Sequence, residues 1–344
     1  MKFTNQKTKC FNTRIRVFIT ILLLFSSQLF WPFNVSIDSA WKHGACGEHI
    51  LWDLFYDDSI HYGDTILYGD SIWRNATLYI QGSGAMDNSY DCSLVYAPWF
   101  NDASKVYQTI IEDGLTTIGN YAFAWCEKMV SISIPNSVTD IGEHAFHECD
   151  QLSSIVLPDN LETINDYTFV WCDHMPKIDI PESVESIGIG AFTGCTALNT
   201  IIIPQGTSYI DLSAFSWCSN LKYLSIGENA TNIGTYAFAW CENLKTILNY
   251  APIPQIIAED VFQGLKRSSC TLYVPSGSID LYKNSKIWED FIIRDMADAP
   301  EPNPTESFDL LLAEKNKIRK ILVNGQVYIL RGDKIYNISG AEVK

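Results

Sequence analysis

The stretch Ile118-Gly119-Asn120-Tyr121-Ala122-Phe123-Ala124-Trp125-Cys126 carries a phrase, Ile-Gly, then Phe, then Cys, that the chain repeats. It returns as Ile141-Gly142, Phe146, Cys149, as Ile164-Asn165, Phe169, Cys172, and as Ile187-Gly188, Phe192, Cys195. Two more copies follow, Ile210-Asp211, Phe215, Cys218 and Ile233-Gly234, Phe238, Cys241, each 23 residues from the last with no insertion or deletion. A fixed period of this length marks a solenoid, in which no single turn buries enough apolar surface to stand alone.

Each column of the repeat has a physical role. Three residues after each Cys stands Met129, Leu152, Met175, Leu198, Leu221 or Leu244. Alternating pairs follow, such as Ile132 and Ile134 or Ile201 and Ile203, and period-two alternation over a short run predicts a half-buried strand. Pro135, Pro158, Pro181 and Pro204 end four of these strands, because proline has no N–H to give a ladder. Gly119, Gly142, Asn165, Gly188, Asp211 and Gly234 are residue types that tolerate a left-handed backbone, so positive φ is expected at that turn. Phe and the small residue before it (Ala122, Ala145, Thr168, Ala191, Ala214, Ala237) then plug the core from the other side.

These spacings resemble the BspA-type leucine-rich repeat of bacterial surface proteins, with its pattern L-x-x-I-x-I-P, V-x-x-I-G, A-F-x-x-C. The fold class expected is a β-rich solenoid, a leucine-rich repeat superhelix of 23-residue rungs with N- and C-terminal caps.

The remaining chain divides around the repeats. Residues 1–40 read as a signal peptide, since Lys2, Lys7, Lys9, Arg14 and Arg16 precede the apolar run Val17 to Phe25. Residues 41–105 read as an N-terminal β cap that resembles the leader ahead of BspA-type repeats, and residues 106–265 as the solenoid. Residues 266–296 read as a C-terminal cap with a short helix around Ile279, Tyr282 and Trp288. A Pro/acid linker at 297–307 leads to a small β tail at 308–344, where Asn324-Gly325 between apolar runs signals a hairpin. The tail either resembles a type IX secretion sorting signal or is a plain terminal hairpin.

Charge and chemistry narrow the function. The chain carries 24 basic and 40 acidic residues, and between Val106 and Phe262 there are 19 Asp/Glu against 4 Lys/Arg. That sign argues against nucleic acid and anionic membrane surfaces as partners. Ten cysteines in an exported chain would normally imply disulfides, yet six of them recur at the same place in every rung. Their Cβ vectors would run parallel, a poor geometry for a bridge, so a column of buried reduced thiols is expected. Cys46 and Cys92 form the plausible bridge. His144 and His147 fall in a column without ligand chemistry and read as a solvated pair. No phosphate loop, nucleophile elbow or catalytic set is present in the sequence, so neither enzyme activity, cofactor nor metal is expected.

Two surfaces remain as candidates. Trp125, Trp171, Trp217 and Trp240 occupy the position before the repeat Cys, where Gly194 stands in another rung. They form either a stacking strip for glycans or a set of indoles that each shield their own turn. The outward strand positions, Ser131/Ser133, Ser154/Val156, Lys177/Asp179, Thr200/Ile202, Tyr223/Ser225 and Thr246/Leu248, make a shallow continuous face. The resemblance implies adhesion, with an extracellular protein of host matrix or cell surface, or a glycan, as partner. The expectation is therefore a secreted or cell-surface, monomeric, adhesin-like binding protein; a carbohydrate-binding module or a structural spacer are the alternatives.

Overall fold

The computed structural model describes residues 41–56, 60–62, 65–67, 76–87, 97–300, 318–323, 326–331, 334–337 and 342–343. The signal-peptide expectation falls on residues outside this set, as does most of the Pro/acid linker. Among the described residues no helix is long and apolar enough to cross a membrane.

The repeats form a β-solenoid whose turns pair in parallel, identical columns facing one another: Ile155 pairs with Ile132, and Ile187 with Ile164 and Ile210. Numbering rungs one to six by their Cys, the rungs build three ladders. The first is the sheet face, with strands such as Ser131–Ser133, Ser154–Val156, Thr200–Ile202 and Tyr223–Ile226. The second is the short strand ending in the repeat Ile, as in Thr163–Ile164 and Ser186–Ile187. The third has no regular strand: Phe123, Phe146, Phe169, Phe192 and Phe215 donate their N–H to the carbonyl one residue before the next rung's Phe, at 2.7–2.9 Å.

Inside, the repeat phenylalanines stack face to face. Successive centroids from Phe123 to Phe238 lie 5.0–5.5 Å apart with interplanar angles of 15° or less. The stack continues into both caps. Trp99 lies 5.9 Å from Phe123, and its Nε1 donates to the Ala122 carbonyl at 2.8 Å. At the other end Phe262 takes the column position although the period has slipped, and Trp288 and Phe291 close it edge-on. Leu265 follows where a Cys would stand and is buried as the thiols are.

The N-terminal cap extends the sheet face with Trp41–Ala45, Ile50–Tyr56 and Ala76–Gly82; the first two pair antiparallel, and the third pairs in parallel with Val106–Ile111. The C-terminal cap adds Thr271–Val274 and Ile292–Asp295, with one helix at Ile279–Lys283 between them. In the tail, Ile318–Val323, Gln326–Arg331, Lys334–Asn337 and Glu342–Val343 form an antiparallel sheet.

Three expectations need correction. The left-handed residues are not at the Gly119 column but two and six positions later: Tyr121, His144, Tyr167, Gly190, Ser213 and Tyr236, then Trp125, Glu148, Trp171, Gly194, Trp217 and Trp240. The non-glycine members have φ between 54° and 62°. Most sit at the third position of a tight turn, where type II geometry demands it. Glycine at 142 and 234 answers a different need, close approach. A Cβ on Gly142 would meet the Asn120 nitrogen at 2.6 Å, and one on Gly234 the Leu212 nitrogen at 2.6 Å.

Second, the sheet face is not continuous. It splits into a six-stranded part ending at Ser154–Val156 and a five-stranded part starting at Thr200–Ile202. Third, Ser225 and Leu248 stand in outward register, between Ile202 and Tyr273, yet are buried.

Truncating the middle of the aromatic stack removes contacts on both faces of one ring. We expect Phe192→Ala to cost about 3–5 kcal/mol, measured by chemical denaturation, as for other fully buried phenylalanines.

Candidate functional site

The left-handed turns decide where the tryptophans go. With φ near 60°, each indole at the position before Cys leaves the rung edge and lies along the solenoid axis over the next rung. Trp217 and Trp240 stack at 4.7 Å and 15°. The Trp171 benzo ring rests on Gly194, where a Cβ would meet it at 2.4 Å, and Trp240 rests on Gly264 in the same way at 3.0 Å. Trp125 meets His147 edge-on at 5.4 Å and Phe100 at 5.5 Å. The four expected residues thus share one column, but only Trp217 and Trp240 touch. Trp171 and Trp217 are 43% and 47% exposed, so each indole both shields a neighbouring turn and reaches solvent.

A second aromatic column, absent from the sequence reading, runs beside the first. His144 is sandwiched between Tyr121 at 4.5 Å and Tyr167 at 4.8 Å, all three rings nearly parallel. Tyr167 in turn lies against Gly190. His144 is therefore half-buried and not the fully solvated residue expected: burial, and then His147 at 3.4 Å, lowers its pKa from 6.5 to about 4. His147 Nε2 faces Glu148 Oε1 at 3.0 Å. The signal was in the sequence, since Tyr, His and Tyr recur at 23-residue spacing two positions after the Gly column.

On the sheet face, Lys177 and Asp179 form an ion pair at 2.6 Å. They border a cavity of about 180 Å³ completed by Ile178, Ile180, Glu182, Thr200 and Ile202. Tyr223 is the register partner of Thr200 one rung on and is not part of this cavity. Val156 and Ile202, on either side of the ladder break, are 57% and 47% exposed.

A third surface was missed. The loop after Asn249 leaves Ile253 and Ile256 exposed while its backbone is pinned: Gln255 Nε2 donates to the Ala230 carbonyl at 3.0 Å, and Trp288 Nε1 to the Gln255 carbonyl at 2.8 Å.

The repeat cysteines are buried free thiols, and from Cys149 on each donates to the carbonyl of the preceding rung's Phe at 3.1–3.3 Å. Burial raises them all; Cys241 is pushed up to about 12. Cys46 is also buried and raised to about 12, by burial and then by Asp87. Its expected partner Cys92 lies outside the described residues. Among the described residues no group of three or more His, Cys, Asp or Glu is placed to hold a metal ion.

Stacked parallel rungs, a phenylalanine core column and a shallow outward sheet define a leucine-rich repeat solenoid. The BspA type leucine rich repeat region matches residues 95–176 and 162–284 in 6 copies, and the chain belongs to that family. Among solved structures, a leucine-rich repeat protein from Bacteroides ovatus is 24% identical, with a TM-score of 0.39 over 64% of this chain. The match spans 48% of that protein's own length. A leucine rich repeat protein from T. pallidum is 26% identical over 49% of this chain and 83% of its own, with a TM-score of 0.41. A leucine rich cell surface protein from Faecalibacterium prausnitzii is 16% identical over 68% of this chain and 95% of its own, with a TM-score of 0.31. No curated protein matches the chain.

Two outcomes follow from this chemistry. The buried cysteines should stay unreactive to a disulfide reagent at pH 8 and titrate only on unfolding, read as thiol release against denaturant, because reaction requires an accessible thiolate. The fold holds His144 neutral, so its contribution is full above the ordinary imidazole value of 6.5 and is lost as pH falls toward 4. His144→Tyr, which copies its column neighbours, should therefore gain on the wild type in thermal midpoint as pH drops through that window.

Proposed function

We propose that the chain is an exported, surface-displayed protein that binds extracellular proteins, adhesin-like, through the sheet face of its solenoid. The observation that carries this reading is the pair of exposed apolar residues, Val156 and Ile202, held on a rigid parallel frame amid small and polar neighbours. A shallow face of this kind suits an extended protein target, with affinity concentrated at a few apolar or ion-paired anchors. Membership of a repeat family of bacterial surface proteins supports display at the cell surface, as does the basic leader with its apolar run. The excess of acidic side chains on the solenoid suits partners with basic patches.

The glycan reading rests on the tryptophan column and has less support. Sugar stacking uses a free aromatic face. Trp217 and Trp240 cover each other's facing sides, and Trp171 lies against Gly194, so one face of each of these three rings is taken.

The two readings separate by substitution. Val156→Asp with Ile202→Asp should reduce retention of immobilised matrix proteins about tenfold or more, as expected for loss of interface anchors. Trp171→Ala with Trp217→Ala should leave that retention unchanged. Loss of binding in the tryptophan variant alone, with an intact fold by circular dichroism, would move the site to the other face.

A further inference from the structure

One side of the break in the sheet face traces to a single residue. In neighbouring rungs the residue before the strand donates its N–H to the equivalent carbonyl of the rung before: Ser153 to Val130 at 2.9 Å, Asn199 to Pro176 at 3.1 Å, Lys222 to Asn199 at 2.9 Å. In rung three this position is Pro176, which has no N–H to give to Ser153. Residues 177–180 form no strand, and the two halves of the face end on either side of them. The second ladder runs unbroken past the same rung, from Thr163–Ile164 to Asn232–Ile233, so the solenoid keeps its register while the face opens locally.

On the other side of rung three, where Asn199 still donates to the Pro176 carbonyl, a cavity lies between residues 177–182 and residues 200–202, and its chemistry is directional. Its aliphatic lining comes from Ile178, Ile180 and Ile202. Its rim carries two carboxylates. Asp179 has its Oδ1 on Lys177 at 2.6 Å and a side chain 82% exposed. Among the described residues the Glu182 carboxylate meets no cation. The rim therefore holds two negative charges against one positive, within a solenoid of 19 acidic and 4 basic residues.

We propose that this gap is a binding pocket for an arginine side chain on an extended, cationic segment of the protein partner. The propyl stem lies on the isoleucines, as long basic side chains do on apolar surface, and the guanidinium reaches both Asp179 and Glu182. Arginine fits better than lysine, since its planar fork serves two carboxylates at once and is more weakly hydrated. Val156, outside the gap, receives an apolar residue that flanks the arginine in the extended segment. The proposal rests on the sheet-face reading above and adds to it the class of partner and the anchor.

The test uses the full chain and two short peptides that differ in one group: a Ser/Ile peptide with a central arginine, and the same peptide with citrulline, which is isosteric and uncharged. Chemical-shift mapping at millimolar peptide should show the arginine peptide perturbing residues 177–182 and 200–202. The citrulline peptide should bind about tenfold more weakly, as should the arginine peptide to the Asp179→Asn, Glu182→Gln double variant, the expected cost of a lost charge-assisted contact. Both substitutions lie on the exposed rim, and an unchanged thermal midpoint confirms the fold. Equal binding of the two peptides, or no perturbation at those residues, overturns the proposal. A matrix protein retained equally by wild type and double variant overturns the pocket alone, leaving sheet-face recognition in place.

Discussion

Everything in this molecule depends on backbone hydrogen bonding between successive turns, which fixes the rungs about 5 Å apart and in register. Once that spacing is set on three sides, each side chain meets its own counterpart above and below. Phenylalanine rings then have little choice but to stack, thiols find a carbonyl at constant distance, and aromatic residues on left-handed turns lie across their neighbours. The same constraint explains why the ends are aromatic. An unfinished column would expose one ring face, and Trp99 and Trp288 cover the two.

How much of this was legible in the residues depends on whether a position repeats. The solenoid, its period, the inward Phe and Cys columns and the strand positions in every rung but the third follow from identity at 23-residue intervals, whereas the strand expected around Ile178 and Ile180 does not form. The turn geometry did not, because glycine has two possible reasons to be selected. At 142 and 234 it yields room for the preceding rung, whereas positive φ falls on Tyr121, Trp125 and their equivalents, residue types that composition alone would never assign there. Structural context overrode propensity.

The candidate site was less legible, for a related reason. Lys177 and Asp179 stood out as outward residues, yet what makes their rung different is Pro176, one residue upstream, in a column filled elsewhere by Val130, Ser153, Asn199, Lys222 and Lys245. A repeat read for its agreements hides its informative exceptions. The burial of Ser225 and Leu248 is likewise set by neighbours across rungs and not by alternation within a strand. Tyr121, His144 and Tyr167 form a column that varied chemistry concealed, although the spacing was regular.

The thiol column has a mechanical corollary. A chain with ten cysteines can be riveted by covalent links, but here the repeat sulfurs stay separate and each turn is joined to the next only by hydrogen bonds and packing. Under tension such a stack has nothing to stop it peeling from an end. Each turn of 23 residues that lets go pays out roughly 8 nm of slack, so a tethered chain would lengthen in steps and dissipate a pull before its anchorage fails.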